Sequence, residues 1–258
     1  MFDDIVGSLS KTVDLLTILR EEPVHKADLA DELDVSKSTV YNWTSELEAL
    51  GLCERTTGGY AITRIGRAHL RLYHDFADLS RRIYRDNELL DELPAECVPP
   101  APILMDMRAA TSGQDPYALV ERFTARAREA DKIRCLLPSA SSPVLSGFTR
   151  GLDCGAFDLE IVVESSVREY IEANHPEFCA ALADAAGGTL VETAATIEVG
   201  LGLFEGESSC TVLTASNERG YVTGTLTGES DAALSWGTDL YEQYRAEGEA
   251  LDPTDIGS

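Results

Sequence analysis

The chain has 258 residues, 44% of them hydrophobic, which is enough for two domains with separate cores. Its 45 acidic residues outnumber its 21 basic ones, so the chain lacks the excess of cationic residues with which most DNA-binding proteins neutralise phosphates. No apolar run reaches the ~18 residues of a membrane span, and no N-terminal segment resembles a signal peptide, so we expect a cytoplasmic protein that does not enter membranes.

The formal net charge of −24 comes with few lysines, because most of the basic residues are arginines. A salt-accumulating cytoplasm favours such an acidic, lysine-poor chain. At about 1 M salt the Debye length shrinks to about 3 Å, so repulsion between this chain and DNA would be largely screened. We therefore predict a halophilic protein from a haloarchaeal source. The alternative is an ordinary acidic protein that binds no nucleic acid.

Residues 1–62 follow the pattern of an α+β winged helix-turn-helix domain. A helix over residues 4–20 is predicted first, and Pro23 closes it. Residues 26–33 form a short helix, which is the first helix of the helix-turn-helix motif. After a turn, Ser36 caps the second helix of the motif, which ends at Gly51. Residues 52–62 form a β-hairpin with Gly58 and Gly59 at its tip. Such a unit places its second helix in the major groove of duplex DNA.

The second helix of this motif has an apolar and a polar face. Val40, Trp43 and Leu47 recur at helical spacing and are expected to face the core. On the opposite face, the amide of Asn42 is suited to an adenine edge and the hydroxyls to bases or phosphates. The alternative is a packing or dimerisation module with no DNA role. The residues predicted to contact double-stranded DNA are Lys26, Ser36, Lys37, Ser38, Thr39, Tyr41, Asn42, Ser45, Arg55 and Arg64.

Residues 63–93 are predicted to form one long linker or dimerisation helix. Apolar residues recur along it at heptad spacing, although His69 and Asp86 interrupt the seam. We predict that the seam pairs two subunits, so that two recognition helices meet a near-palindromic site. The alternative is that it packs on the protein's own second domain. The predicted homodimer residues are Ile65, Leu72, Phe76, Leu79 and Ile83.

The remainder of the chain is predicted to be a second domain. Four prolines within residues 94–102 indicate a short, stiff hinge. Residues 103–250 alternate strands and helices, which predicts an α/β effector or oligomerisation domain on a mixed sheet. Asp115-Pro116 and Ser142-Pro143 each open a helix, and residues 251–258 are predicted to be a flexible tail.

A small-molecule effector site is predicted where an apolar strand over residues 133–137 runs into the next helix. The N-terminus of a helix attracts anions, because its free amides and dipole point outwards. The predicted ligand-binding residues are Arg134, Ser139, Ser141 and Ser142. The alternative for the serines is ordinary turn and cap chemistry.

No pattern for catalysis, a cofactor or a metal is found. The chain lacks an H-x-K pair, a G-x-x-x-x-G-K-[ST] loop and a G-x-S-x-G elbow, which argues against an enzyme. The six cysteines are widely spaced without a C-x-x-C, so a structural zinc site is not expected. Cys135 and Cys210 are expected in the core, whereas Cys97 and Cys154 lie near loops, where a redox-sensing thiol is an open alternative.

Four segments resemble known regulators. The N-terminal segment "KADLADELDVSKSTVYNWTSELEALGLCERTTGGYAITRIGRA" resembles archaeal and bacterial winged-helix regulators. The segments "DPYALVERFTARAREADKIRCLLPSASSPVLSGFTRGL", "LEIVVESSVREYI" and "LSWGTDLYEQYRAEGEAL" resemble the effector domain of haloarchaeal regulators, which is also found in the Fil-type methanogenesis regulator. This resemblance implies a regulator with a companion domain distantly similar to TrmB-like sensing domains and to phospholipase D in fold.

We therefore predict a dimeric, sequence-specific transcriptional regulator that responds to a small molecule or to cell state. Two alternatives stay open: a protein–protein module of the transcription apparatus, and a constitutive repressor whose second domain binds no ligand. The sequence decides neither the operator nor the effector, nor whether the protein activates or represses.

Overall fold

The computed structural model describes residues 2–111, 117–216, 222–252 and 256. The chain divides into two compact units, Met1–Arg82 and Ile83–Ser258. Within the described part, no helix is long and apolar enough to cross a membrane.

In the first unit, three helices precede a two-stranded hairpin along the chain and one helix follows it. Its elements are α1 (Phe2–Ile18), α2 (Lys26–Glu32), α3 (Lys37–Ala49), β1 (Cys53–Thr56), β2 (Gly59–Ile62) and α4, which begins at Arg64 and ends at Arg85. The strands β1 and β2 pair antiparallel, with Cys53 opposite Ile62. The core is formed by fully buried leucines of the helices together with Val40 and Leu52. These elements agree with the predicted helix–turn–helix–hairpin order.

Residues with positive φ and side-chain caps define the turns of this unit. Asp34 adopts a positive φ of 52° between α2 and α3, and Gly51 adopts φ 71° after α3, where a side chain would be strained. The Ser36 hydroxyl accepts a hydrogen bond from the Thr39 amide at 3.1 Å, which caps α3 as predicted. The Thr63 hydroxyl does the same for α4, accepting from the Gly66 amide at 2.9 Å.

A close backbone approach fixes α4 against the hairpin. A Cβ atom placed on Gly66 would lie 2.0 Å from the carbonyl oxygen of Leu52, so only glycine fits there. By contrast, a Cβ atom on Gly7 in α1 would meet nothing within 4 Å.

The long helix is shorter than predicted. It ends at Arg85, and residues 87–91 form a separate short helix, α5 (Asn87–Asp91), after Asp86 leaves the helical conformation at φ −100° and ψ 15°. The Arg85 guanidinium donates to the Asp86 carboxylate at 2.9 and 3.1 Å, and the Asp86 carbonyl accepts from the amides of Leu89 and Leu90. Asp86 therefore ends one helix and starts the next, so the prediction of one helix over residues 63–93 was wrong.

The second unit continues with a 3-10 turn (Ala95–Cys97) and a mixed α/β arrangement. Its elements are α6 (Ala101–Asp106), β3 (Arg108–Thr111), α7 (Tyr117–Ala127), β4 (Lys132–Leu137), α8 (Ser142–Asp153), β5 (Asp158–Glu164), α9 (Ser165–Asn174), α10 (Pro176–Asp184), β6 (Gly188–Thr193), β7 (Gly200–Glu205), β8 (Cys210–Ser216), β9 (Val222–Gly228), α11 (Asp231–Ala246) and β10 (Gly248–Ala250).

One eight-stranded mixed sheet organises this unit, in the order β10-β6-β5-β4-β7-β8-β9-β3. The central strands β4, β5 and β6 are parallel, and the remaining neighbours pair antiparallel. The mixed sheet is as predicted. Residues from α7, α8, α9 and α10 pack on one face of the sheet around Phe148 and Phe178. Helix α11 contacts β4, β7 and β8 through the other face, where Leu203 and Thr211 meet Gly237.

Several details differ from the sequence-based expectation. The edge strands β3 and β10 and the short helix α6 were not predicted. Helix α8 takes Ser141 as its N-cap residue instead of Ser142, and the Ser141 side chain makes no capping bond. The predicted opening of α7 at Asp115-Pro116 lies outside the described residues. In the predicted tail, Leu251 donates to Leu190, and both Leu251 and Ile256 pack on the core.

Candidate functional site

The outward face of α3 carries the polar side chains predicted to meet DNA. Lys37, Ser38, Tyr41 and Asn42 are exposed, and Ser45 is half-buried on the same side. The other side of the helix is in the core: Val40, Thr44 and Leu47 are fully buried. The helix therefore has one face held by packing and one face of small polar groups, an aromatic ring and a cation.

The hydroxyls at the start of α3 are engaged with one another. The Ser36 Oγ atom lies 2.7 Å from Ser38 Oγ and 2.8 Å from Thr39 Oγ1, besides accepting from the Thr39 amide. The Ser36 hydroxyl therefore acts mainly as the N-cap of α3, because its oxygen already has three hydrogen-bonding partners. Any contact of these hydroxyls with a ligand would exchange one of these short bonds, whereas no hydrogen bond within the described residues occupies the Asn42 amide.

Two predicted cations are held by tyrosine rings. The Lys26 ammonium, from α2, lies 4.6 Å from the centroid of the Tyr41 ring on α3. On β1, the Arg55 guanidinium donates to the Tyr60 hydroxyl at 2.9 Å, and this hydrogen bond raises the pKa of Arg55. Lys26 and Tyr41 are therefore brought together from neighbouring helices, and Arg55 stays charged at any working pH.

A cationic groove that was not predicted from the sequence lies along α4. Arg20, Arg67, Arg71 and His74 line a groove of about 320 Å³, with Asp75 as its one carboxylate among the described lining residues. The Arg67 Nη1 atom donates to the Arg20 carbonyl at 2.7 Å, which joins the end of α1 to α4. The 22 residues of α4 contain six arginines and two aspartates, in a chain of net charge −24. The spacing of Arg64, Arg67 and Arg71 by three and four residues is the signal that could have revealed this face.

A second face of α4 is apolar and exposed. Ile65 is 59% exposed, Leu72 62%, Phe76 65% and Ile83 45%, while Leu79 is half-buried. The core side of the same helix holds Gly66 and Leu70. The five predicted dimerisation residues thus form one apolar stripe (the α4 stripe: Ile65, Leu72, Phe76, Leu79, Ile83), and four of these five side chains are exposed.

The predicted ligand-binding residues separate into different places. Ser139 and Ser141 line a cavity between α7, α8 and the sheet. The Ser142 hydroxyl instead lies 3.4 Å from Nε2 of His175, at the start of α10. Arg134 is absent from the cavity because alternate residues of a strand face opposite sides: Ile133 and Cys135 face the α8 core.

Arg134 is held on the α11 face by carboxylates. Its Nε atom donates to Glu205 at 2.9 Å and its Nη1 atom to Glu242 at 3.2 Å. The guanidinium also lies 5.4 Å from the centroid of the buried Tyr241 ring. Burial, together with a 2.6 Å hydrogen bond to Glu160, raises the pKa of Tyr241, so the tyrosine donates this bond as a neutral phenol. The structure does not place Arg134 with the predicted serines.

The cavity (the α7–α8 cavity) has an apolar lining interrupted by hydroxyls. Its volume is about 90 Å³, and it lies where β4 ends and β7 begins. Its described lining consists of Leu119, Phe123, Leu136, Leu137, Pro138, Ser139, Ser141, Val144, Leu145, Gly200, Leu201, Thr214, Ser216, Val222 and Thr225. No ionisable side chain is among these residues.

Five of the six thiols are buried, and the sixth, Cys154, is exposed. Burial raises the pKa of Cys53 to about 12 and also raises the pKa of Cys97. A thiol in this state is a poor nucleophile, which argues against redox sensing by Cys97. Cys135 and Cys210 lie in the core, as predicted. Among the described residues, no group of three potential ligands is arranged to hold a metal ion.

Two family models match the chain. The model described as "Methanogenesis regulatory protein FilR1, middle domain" matches residues 116–247, about half of the chain. The model described as "HVO_A0261 N-terminal domain" matches residues 3–85. No curated protein matches.

Among solved structures, the archaeal chromatin protein TrmBL2 is 10% identical, and the match covers 93% of this chain and 92% of that chain with a TM-score of 0.41. Nuc, a phospholipase D family member from Salmonella typhimurium, is 11% identical, with 56% and 97% covered and a TM-score of 0.42. These TM-scores are too low to establish a shared fold.

Proposed function

The chain belongs to the family defined by the middle domain of the methanogenesis regulatory protein FilR1, and we propose that it is a sequence-specific DNA-binding transcriptional regulator. In this proposal the first unit is a winged helix-turn-helix that reads duplex DNA, and the second unit is its effector domain. The protein acts in the cytoplasm as a homodimer.

The observation that carries the proposal is the exposed polar face of α3. Its opposite face is buried, so the helix is rigidly presented, and Asn42 and Tyr41 project from it. A bidentate contact from an asparagine amide to an adenine edge needs such a side chain, free and on a rigid helix. Lys26 and Arg55 flank this helix from α2 and β1 and supply charge for phosphates.

Charge distribution supports the same assignment. Residues 1–82 contain 10 basic and 14 acidic residues, whereas residues 83–258 contain 11 and 31. The first unit is therefore only weakly anionic, and its cations are gathered on α4 and beside α3. In the multi-molar salt of a haloarchaeal cytoplasm the remaining repulsion is screened within about 3 Å. Hydrogen bonds and shape then supply most of the affinity.

The α4 stripe supports a dimer. Isolated apolar residues are common on protein surfaces, but four large ones at heptad spacing on one helix form a seam that pairing would bury. Two copies joined along α4 would present two α3 helices to two half-sites. An effector that favours one state of the second unit would then shift the population of DNA-competent dimers.

Footprinting of genomic fragments in about 2 M KCl tests the proposal, because it detects binding at the salt at which the protein works. We expect a protected, near-palindromic site with two half-sites about one helical turn, roughly 34 Å, apart. Failure to protect any fragment would favour a protein–protein module instead. A metabolite screen by melting temperature tests the effector role separately, since a bound ligand stabilises the folded state. A constitutive repressor would show protection without any ligand-induced shift.

A further inference from the structure

The α7–α8 cavity has the chemistry of a binding site for a neutral molecule. We propose that it takes a small, mainly apolar compound with one uncharged hydrogen-bonding group, such as an alcohol or a ketone. The proposal rests on the proposed function only in identifying this compound as the effector; the binding itself does not depend on DNA.

The lining of the cavity excludes a charged ligand. Leucine, valine, phenylalanine and proline side chains form most of its wall, and no ionisable side chain belongs to the described lining. A carboxylate, phosphate or ammonium entering such a place would lose its hydration without gaining a partner, which costs several kcal/mol. Arg134, the one cation predicted for this site, forms ion pairs with Glu205 and Glu242 on the other face of the sheet. The sequence-based expectation of an anion site is therefore replaced by a neutral one.

The hydroxyls of the cavity are available to a ligand. Ser141 is the N-cap residue of α8, yet its side chain makes no capping bond. Thr225 is 6% exposed and also lines the cavity. Neither hydroxyl has a hydrogen-bond partner within the described residues. Neither oxygen is among the fully buried, unpaired side-chain atoms, so each can be reached by a hydroxyl or carbonyl of a ligand and can form a hydrogen bond with it.

The position and size of the cavity define how the ligand sits. The cavity lies at the carboxyl end of β4, beside β7, where the sheet changes from parallel to antiparallel pairing. Ligands of open α/β sheets bind outside the carboxyl ends of the parallel strands, and β4 is one of the parallel strands of this sheet. A dry cavity of about 150 Å³ holds benzene. A cavity of about 90 Å³ therefore holds only the apolar end of a ligand, with the remainder at the serine-lined mouth.

Three probes of equal chain length and different charge test this inference: hexanol, hexanoate and hexylammonium. Each is titrated calorimetrically into the full chain in about 2 M KCl, without DNA. We expect hexanol to bind with a negative heat-capacity change, and to bind at least about tenfold more tightly than either ion. The inference is overturned if hexanol does not bind, or if either ion binds as tightly as the alcohol.

Three variants locate the binding. Val144→Phe fills the cavity and is expected to abolish hexanol binding, while Ser146→Phe adds the same ring to the exposed side of α8 and should leave it unchanged. If Val144→Phe does not fold, Ser141→Ala is the decisive variant, because it removes a hydroxyl that caps nothing. It should weaken hexanol binding about fivefold. Unaltered affinity in the folded cavity variant would show that hexanol binds elsewhere.

The outcomes separate this inference from the proposed function. Hexanol binding without any DNA footprint would keep the ligand site and remove the regulator. A footprint without hexanol binding would keep the regulator and remove this ligand class.

Discussion

The Phe76→Ala substitution tests whether the α4 stripe joins two copies of the chain. The Phe76 ring is 65% exposed in the single chain, so its removal leaves no cavity in the core. The free energy of unfolding of the monomer should change by no more than about 0.5 kcal/mol, as for other surface substitutions. If the stripe is the dimer seam, the same ring is buried in the dimer, and its loss weakens association.

The expected magnitude follows from the exposed fraction. Complete burial of a phenylalanine side chain contributes roughly 1.5–3 kcal/mol. About two-thirds of the ring is still exposed in the monomer, which leaves roughly 1–2 kcal/mol per ring to be gained on pairing. A dimer buries two rings, so Phe76→Ala should cost about 2–4 kcal/mol. This corresponds to a dissociation constant about 30-fold to about 1000-fold higher.

Sedimentation velocity over a range of protein concentrations measures that constant. Tyr84→Ala is the matched control, because Tyr84 is an aromatic residue on the same helix, is 82% exposed, and lies about one-quarter turn away from the stripe residue Ile83. Its removal should change the dissociation constant by less than about twofold. A wild-type chain that is monomeric, or a Phe76→Ala variant that dimerises like wild type, would refute the assignment of the seam.

Three further predictions concern the fold. Gly66→Ala should lower the free energy of unfolding by about 1–3 kcal/mol or more, and the melting temperature with it, because its Cβ would meet a backbone carbonyl. Gly7→Ala, in open space, should be neutral or stabilising in the same thermal scan. A thiol reagent on the native protein should modify Cys154 first, and Cys154→Ser should remove the fast phase; fast labelling that survives would contradict the burial of the other thiols. A hydrogen bond from Ser165 lowers the pKa of Glu192 below 4.5, so its contribution is present above pH 4.5 and is lost as the pH falls through the lower folded-state pKa. Glu192→Gln should reduce this acid-induced loss in pH-dependent melting, and an identical acid profile would argue against it.

Local patterns in the sequence predicted most of the first unit. Caps, glycines and helical spacing act over a few residues, so Ser36, Gly51 and the hairpin could be placed without the structure. The same reasoning failed at Asp86, because heptad spacing continues through a helix break and contains no information about the dihedral angles of one residue. The cationic groove also depends on Arg20, which is 47 residues from its partner Arg67 in the chain.

In the second unit the strongly apolar strands were predictable and the edges were not. The strands β4 and β5 are continuous apolar runs, whereas β3 and β10 are short and half-exposed, and only pairing with a neighbour identifies them. The likeness to the Fil-type regulator is confirmed by the family match. Arg134 was grouped with Ser139 because they are close in sequence, although the alternation of β4 places its side chain on the other face.

The proposed DNA-binding function depends on the exposed face of α3, and the affinity of Asn42→Ala for a protected DNA fragment tests it most directly. We expect a loss of roughly 1–3 kcal/mol with unchanged folding and a relaxed preference at one base position. Lys37→Ala should also weaken binding, whereas Asn174→Ala, which removes an exposed asparagine of the second unit, should not. Wild-type affinity in both the Asn42 and Lys37 variants would contradict the account, because the DNA-binding surface would then lie elsewhere.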